Sequence, residues 1–177
     1  MRVWTFGLSV LAFAAVTALA AQVRIPVPWS DVPMTLQSLA VLIAGFTLGP
    51  IAACSAMLLY LACGAAGLPV FAPGSAGLFG ATGGYLVGFV FAAMAISILR
   101  GRHDASAGRL LFSGAAGLAV LFAFGLAWRY VYAMISGLDA GPLLVAGVVP
   151  FIPKAIVELL LAVTVTKCVG RALPAKK

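Results

Sequence analysis

The sequence predicts an all-α membrane protein of six transmembrane helices, with ordered Pro/Gly-rich outer loops on one face. Three observations carry that prediction. Of 177 residues, 64% are hydrophobic and only 8% charged, with a mean hydropathy of +1.18. A soluble domain of this size needs more charge, because most of its surface faces water. Several stretches approach the roughly 20 apolar residues that cross a bilayer. Two segments rich in proline, glycine and polar groups, residues 25–37 and 67–85, interrupt those stretches. The whole chain, 1–177, reads as one integral-membrane domain.

The elements follow in order. Helices are expected over residues 3–23, 34–48, 51–65, 83–99, 109–135 and 143–171. The first begins after Arg2 and carries Ala18, Leu19 and Ala20, the outline of a secretory signal peptide. Its apolar run is nevertheless long enough to span, and the following segments insert as well. The second and third are divided by Gly49 and Pro50. Unbroken, they would make a helix of roughly 48 Å, against a hydrocarbon core of about 30 Å. As two short legs each falls short of that thickness, so the preceding loop is expected to dip inward.

Charge sets the orientation. The net charge of +7 sits at span ends and fits the positive-inside rule better than a nucleic-acid surface. With six spans and the N-terminus inside, Arg2, Arg100, Arg102, Arg109, Lys167, Arg171, Lys176 and Lys177 are cytoplasmic, eight of eleven basic residues. Asp31 and Asp139 fall outside, with Arg24 as the basic exception. Five spans in the opposite orientation only exchange Arg2 for Arg24, so span length rather than charge decides for six. Both termini are then cytoplasmic. Cys54, Cys63 and Cys168 are isolated in apolar surroundings and read as small packing residues.

Residues 25–37 are the most informative stretch, with prolines at 26, 28 and 33 beside Asp31, Thr35 and Gln37. Proline rejects helix interiors and pushes its predecessor to extended backbone. Irregular polar backbone at membrane depth is tolerated where it is buried in protein or lines a cavity. Gln37 offers donors and an acceptor for a ligand, while Thr35 is placed to cap the second helix. In the second loop, Phe71, Phe79 and Tyr85 supply apolar walls, and its glycines allow close backbone approach. Two ordered loops on one face suggest a lidded pocket; the plainer reading is a packed connection between helices.

Lys154 and Glu158 stand four residues apart, on one face of the sixth helix. Charges within a span face a cavity or a partner. The alternatives are a mutually neutralising structural pair and a Lys154 that reaches back to the interface. Arg129, after Trp128, reads as an interfacial anchor. Ala14 and Ala18 form a small-residue face suited to close helix packing, within the chain or against a partner subunit or second copy. Catalysis finds little support. His103 lies beside Asp104 in the basic loop, and the chain has no nucleophile–base motif, metal pattern or phosphate-binding lysine loop.

At this point the residues resemble a known family. Ile25-Pro-Val-Pro28, Val32-Pro-Met-Thr-Leu-Gln37, Ala44-Gly45, Leu48-Gly-Pro50, Tyr60-Leu61, Gly64, Gly67-Leu-Pro-Val-Phe71, Thr82-Gly-Gly-Tyr85 and Gly88-Phe89 are together similar to the BioY family. Val149-Pro-Phe-Ile-Pro153 extends the likeness more weakly, over nearly the whole chain. The resemblance implies a biotin-specific, substrate-binding S component of an energy-coupling-factor (ECF) transporter in the bacterial cell membrane. It implies six helices, with biotin as transported substrate rather than cofactor, held under the loops between helices one and two and between helices three and four. A transmembrane T component would meet the first helix at Ala14 and Ala18, and two ATPase subunits would supply energy. On this likeness Phe71 and Tyr85 would enclose the apolar ring, Gln37, with Thr35 beside it, would meet the ureido group, and Lys154 would meet the carboxylate or pair with Glu158.

Two departures stand out. Ala81 replaces a usual proline before Thr82. The sixth helix usually carries an Asp and, three residues later, a Lys; here those places hold Ala155 and Glu158, with Lys154 one residue earlier. Acid and base are exchanged. An S component for another small vitamin, or a non-transporting membrane scaffold, are the other readings; a scaffold has no need of two Pro/Gly-rich loops on one face.

Overall fold

The structure, a computed structural model, describes residues 3–25, 34–102 and 105–172. The prolines and Asp31 of the first loop, His103, Asp104 and the terminal lysines lie outside the described residues. Seven α-helices and one short hairpin form the described part: α1 Val3–Gln22, β1 Arg24–Ile25, β2 Met34–Thr35, α2 Gln37–Thr47, α3 Pro50–Ala65, α4 Gly83–Arg100, α5 Ala107–Ser136, α6 Ala140–Val148 and α7 Phe151–Ala172. Four stretches are long and apolar enough to cross a membrane: α1, α4, α5 and residues 145–170. With the shorter apolar helices α2 and α3 they make the six expected legs of an all-α membrane protein.

The central leg is α2. Its Val41, Leu42, Ala44 and Phe46 are fully buried, because α1, α3, α4, α5 and α7 surround it. At 1.5 Å per residue its 11 residues reach about 17 Å and the 16 of α3 about 24 Å, short of a ~30 Å core. Pro50 opens α3 at its first turn, where its missing N–H costs nothing. The α4–α5 pair is the most extensive contact in the fold. Small residues permit it: a methyl added at Gly84 would meet Trp128 Cβ at 2.1 Å and the Phe124 carbonyl oxygen at 2.5 Å.

Two expectations are corrected. Met34 and Thr35 do not start α2. They pair antiparallel with Ile25 and Arg24, and this ladder holds them extended. Leu36, not Thr35, precedes the helix, and no side chain caps it. The sixth helix, expected unbroken over 143–171, is interrupted at Val149 and Pro150. Pro150 has no N–H for the carbonyl of Ala146 and its ring crowds the preceding turn.

The loops gather at one end. Gln22 Nε2 donates to the Phe71 carbonyl at 3.3 Å and Arg24 Nη1 to the Pro73 carbonyl at 2.7 Å. Trp128 Nε1 donates to the Gly80 carbonyl at 2.8 Å. The α3–α4 loop is thereby fastened to α1, to the hairpin and to α5. At the opposite end, Arg100 donates to the carbonyls of Phe46 and Leu48, Ser97 to that of Leu48, Arg109 to that of Leu99 and Lys167 to that of Ala105.

Candidate ligand pocket

Because α2 is short, space remains over its first turn. A cavity with an empty volume of about 770 Å³, open mouth included, lies there. Its polar side comes from adjacent residues. Successive helical positions are about 100° apart, so Gln37 turns toward α3 while Ser38 turns toward α7.

Gln37 is 5% exposed and tethered at both ends of its amide. Its Nε2 donates to Tyr60 Oη at 2.7 Å, and its Oε1 accepts from Thr35 Oγ1 at 2.9 Å. An amide offers two N–H donors and two acceptor lone pairs, so one of each is left.

Ser38 closes a three-membered polar cluster with α7. Lys154 Nζ lies 2.8 Å from Glu158 Oε2 and donates to Ser38 Oγ at 2.8 Å, while Ser38 Oγ donates to Glu158 Oε2 at 2.6 Å. The i,i+4 spacing stacks the two charges on one helix face. Lys154 lines the cavity and carries a third N–H. Glu158 sits behind it, 4% exposed, and its Oε1 is buried with no hydrogen-bond partner among the described residues. A lysine at this depth needs such a neutralising neighbour, since an isolated buried charge is strongly disfavoured.

The remaining walls are mostly apolar, with Ser75 and Thr82 as their polar members. Phe71 lies edge-on to Tyr60, with ring centroids 5.4 Å apart and planes at 85°. Its ring fills the notch left by Gly64, where an added methyl would meet it at 2.1 Å. Tyr85 stands edge-on to Phe122, centroids 6.5 Å apart. Its hydroxyl donates to the Gly147 carbonyl at 2.7 Å, at the interruption between α6 and α7. Gly125 makes room for the Tyr85 ring, where a methyl would lie 2.2 Å from Cε1. Phe89, Leu121 and Phe151 add further apolar lining.

The structure therefore brings Thr35, Gln37, Phe71, Tyr85 and Lys154 to one cavity, with Glu158 joined through Lys154 and Ser38. Phe79, proposed as a wall, is 87% exposed and points away. Ala14 is buried against the rest of the chain and Ala18 is half-buried. Ala14 is thus used within the fold, where Thr17 also packs its hydroxyl on Met57. Arg129, expected at the interface, is 1% exposed; its Cδ and Nε border Gly147. Sequence reasoning missed Ser38 and Tyr60. The available signal was a polar handle inside an apolar helix, which seeks a partner when buried.

A helical, multi-pass membrane protein whose intramembrane polar side chains converge on one covered cavity is a small-ligand-binding membrane protein. The BioY family's sequence model matches residues 4–175, and the chain belongs to the BioY family. Similar proteins include the biotin transporter BioY of Thermotoga maritima, 36% identical over 141 residues, 78% of this chain and 80% of the relative. The biotin transporter BioY of Rhizobium etli is 32% identical over 178 residues, 94% of this chain and 93% of the relative. Among solved structures, the S-component for biotin from an ECF-type ABC transporter superposes with a TM-score of 0.79 at 22% identity, covering 94% of this chain and 91% of that one. That likeness shows a shared fold.

Proposed function

We propose that this chain is the membrane-embedded, substrate-binding S component of an ECF-type transporter and that its substrate is biotin. The observation that carries the reading is the sorting of chemistry within the pocket. A tethered amide at Gln37 and a cation at Lys154 stand on one side, and the other walls are mostly aromatic and aliphatic, with Ser75 and Thr82 among them. Biotin has the matching parts: a ureido ring with paired donors and acceptors, an apolar thiophane and chain, and a carboxylate. Gln37, beside Thr35, receives the ureido group. Phe71 and Tyr85 enclose the ring. The third N–H of Lys154 takes the carboxylate in a charge-assisted hydrogen bond, and Glu158 neutralises the lysine when the pocket is empty. The exchange of acid and base along α7 is compatible with this, since the cation still faces the cavity.

The pocket end faces outward and both termini face the cytoplasm of a bacterial inner membrane. The gathering of Arg100, Arg102, Arg109 and Lys167 at the far end supports that orientation. Partner ATPases and a T component supply energy. Ala18 and the exposed face of α1, including Leu8, Leu11 and Leu19, form the contact with the T component. Calorimetry of biotin with the purified protein in detergent tests the reading, with Lys154→Ala as control. Tight binding that the substitution weakens supports it. No binding by the unmodified protein overturns biotin as substrate and leaves the fold standing.

A further inference from the structure

We propose that Tyr60 is a positioning residue for ligand recognition, acting through Gln37 without touching the ligand. The inference rests on the biotin reading above. Tyr60 is 1% exposed, lies in the middle of α3 and does not line the cavity. It nevertheless touches two residues that do. Its hydroxyl accepts from Gln37 Nε2 at 2.7 Å, and its ring meets the edge of Phe71.

A glutamine side chain has three rotatable bonds, and its amide plane turns easily about the last. An untethered Gln37 presents its N–H and C=O to the cavity in many orientations. Tyr60 holds the nitrogen end and Thr35 the oxygen end. Two tethers at opposite ends fix the plane and leave one N–H and one acceptor lone pair side by side. A cyclic urea presents the complementary pair, an N–H beside a carbonyl oxygen. Pre-setting the amide removes an ordering cost that binding would otherwise carry. The tyrosine hydroxyl thus favours a head group that pairs at two points, and Phe71, resting on the same ring, is held at the matching distance from Gln37.

The test is a double-mutant cycle. Biotin affinity is measured by calorimetry for the unmodified protein, Tyr60→Phe, Gln37→Ala and the double variant. Tyr60→Phe keeps the ring against Phe71 and removes only the oxygen. It is expected to weaken biotin by about five- to tenfold in the unmodified background, the effect of one lost buried hydrogen bond. In the Gln37→Ala background it is expected to change affinity by less than about twofold, because its effect passes through Gln37. Equal losses in both backgrounds would mean that Tyr60 serves packing alone and would overturn the inference, as would an unchanged affinity for Tyr60→Phe. Absence of biotin binding by the unmodified protein would overturn the substrate reading itself, and this inference with it. Should Tyr60→Phe not accumulate in the membrane, the unmodified protein provides a second measurement. Gln22 and Gln37 are the chain's two glutamines, so glutamine-selective isotope labelling yields two side-chain amide signals. The Gln37 amide is expected to exchange with solvent at least about tenfold more slowly than that of Gln22. Equal exchange would overturn the inference.

Discussion

The two ends of the helix bundle solve the same problem in opposite ways. Each places polar side chains inside an apolar body. At the end away from the cavity, Arg100, Ser97, Arg109 and Lys167 donate to backbone carbonyls of Phe46, Leu48, Leu99 and Ala105. The Phe46, Leu48 and Leu99 carbonyls close helix ends, where helices leave them without partners, and that of Ala105 lies in the loop before α5. Beside the cavity a network runs between side chains, Thr35 to Gln37, Gln37 to Tyr60, Lys154 to Ser38 and Glu158, and Ser38 to Glu158, while Tyr85 and Trp128 still donate to carbonyls. Backbone acceptors are fixed by the helices that carry them, so the first arrangement locks the structure. In the Lys154–Ser38–Glu158 cluster the partners are side chains, so one can be exchanged for a ligand, whereas Gln37 is held by its two tethers. Carbonyl acceptors serve at both ends, and the side-chain network beside the cavity is what sets the binding end apart.

Substitutions at the two ends sharpen that contrast. Glu158→Ala has the largest expected effect, because it leaves Lys154 as an uncompensated buried charge at a cost of about 3–5 kcal/mol. A thermal-shift assay on detergent-solubilised protein is expected to show a clear fall in Tm, with Glu158→Gln milder. Arg100→Met comes next. It strips two carbonyls of a charged donor, at about 1–3 kcal/mol, and the surviving folded protein is expected to bind biotin as before. A large loss of affinity in Arg100→Met would erase the distinction between the ends. Lys154→Ala is expected to reverse the pattern, weakening biotin about 10- to 100-fold while leaving the neutral amide of biotin bound nearly as well as by the unmodified protein. Ser38→Ala is the smallest: about a fivefold loss of biotin affinity is expected from one hydrogen bond, read by the same calorimetry.

Much of the fold was legible because a bilayer imposes long apolar runs, and the chain shows them plainly. Pro50 and Gly49 marked the α2–α3 turn, and residues 67–85 marked the loop that lines the cavity mouth. The polar residues of the cavity, Gln37 and Lys154, stood out against apolar neighbours. Helix rotation was not legible. Ala14 and Ala18 look alike in sequence, yet Ala14 turns inward and Ala18 sits at the boundary. Arg129, next to Trp128, resembled an interfacial pair, but its side of α5 faces the chain interior. Ser38 and Tyr60 became visible only through their partners on α7 and α2, 116 and 23 residues distant in the chain. The extended pairing of Met34 with Ile25 is likewise a contact between segments, which the mostly apolar local run 34–48 did not announce.

The shortness of α2 has a consequence for anyone who would reshape this protein. Its cavity is space that a full-length span would have occupied, so its depth is set by a number of residues rather than by their identity. One added turn ahead of Gln37 would lengthen α2 by about 5.4 Å and fill the chamber with the inserted residues. Removing a turn would deepen it. Ligand size in this architecture is a matter of helix length, open to insertion and deletion where substitution alone would only repaint the walls.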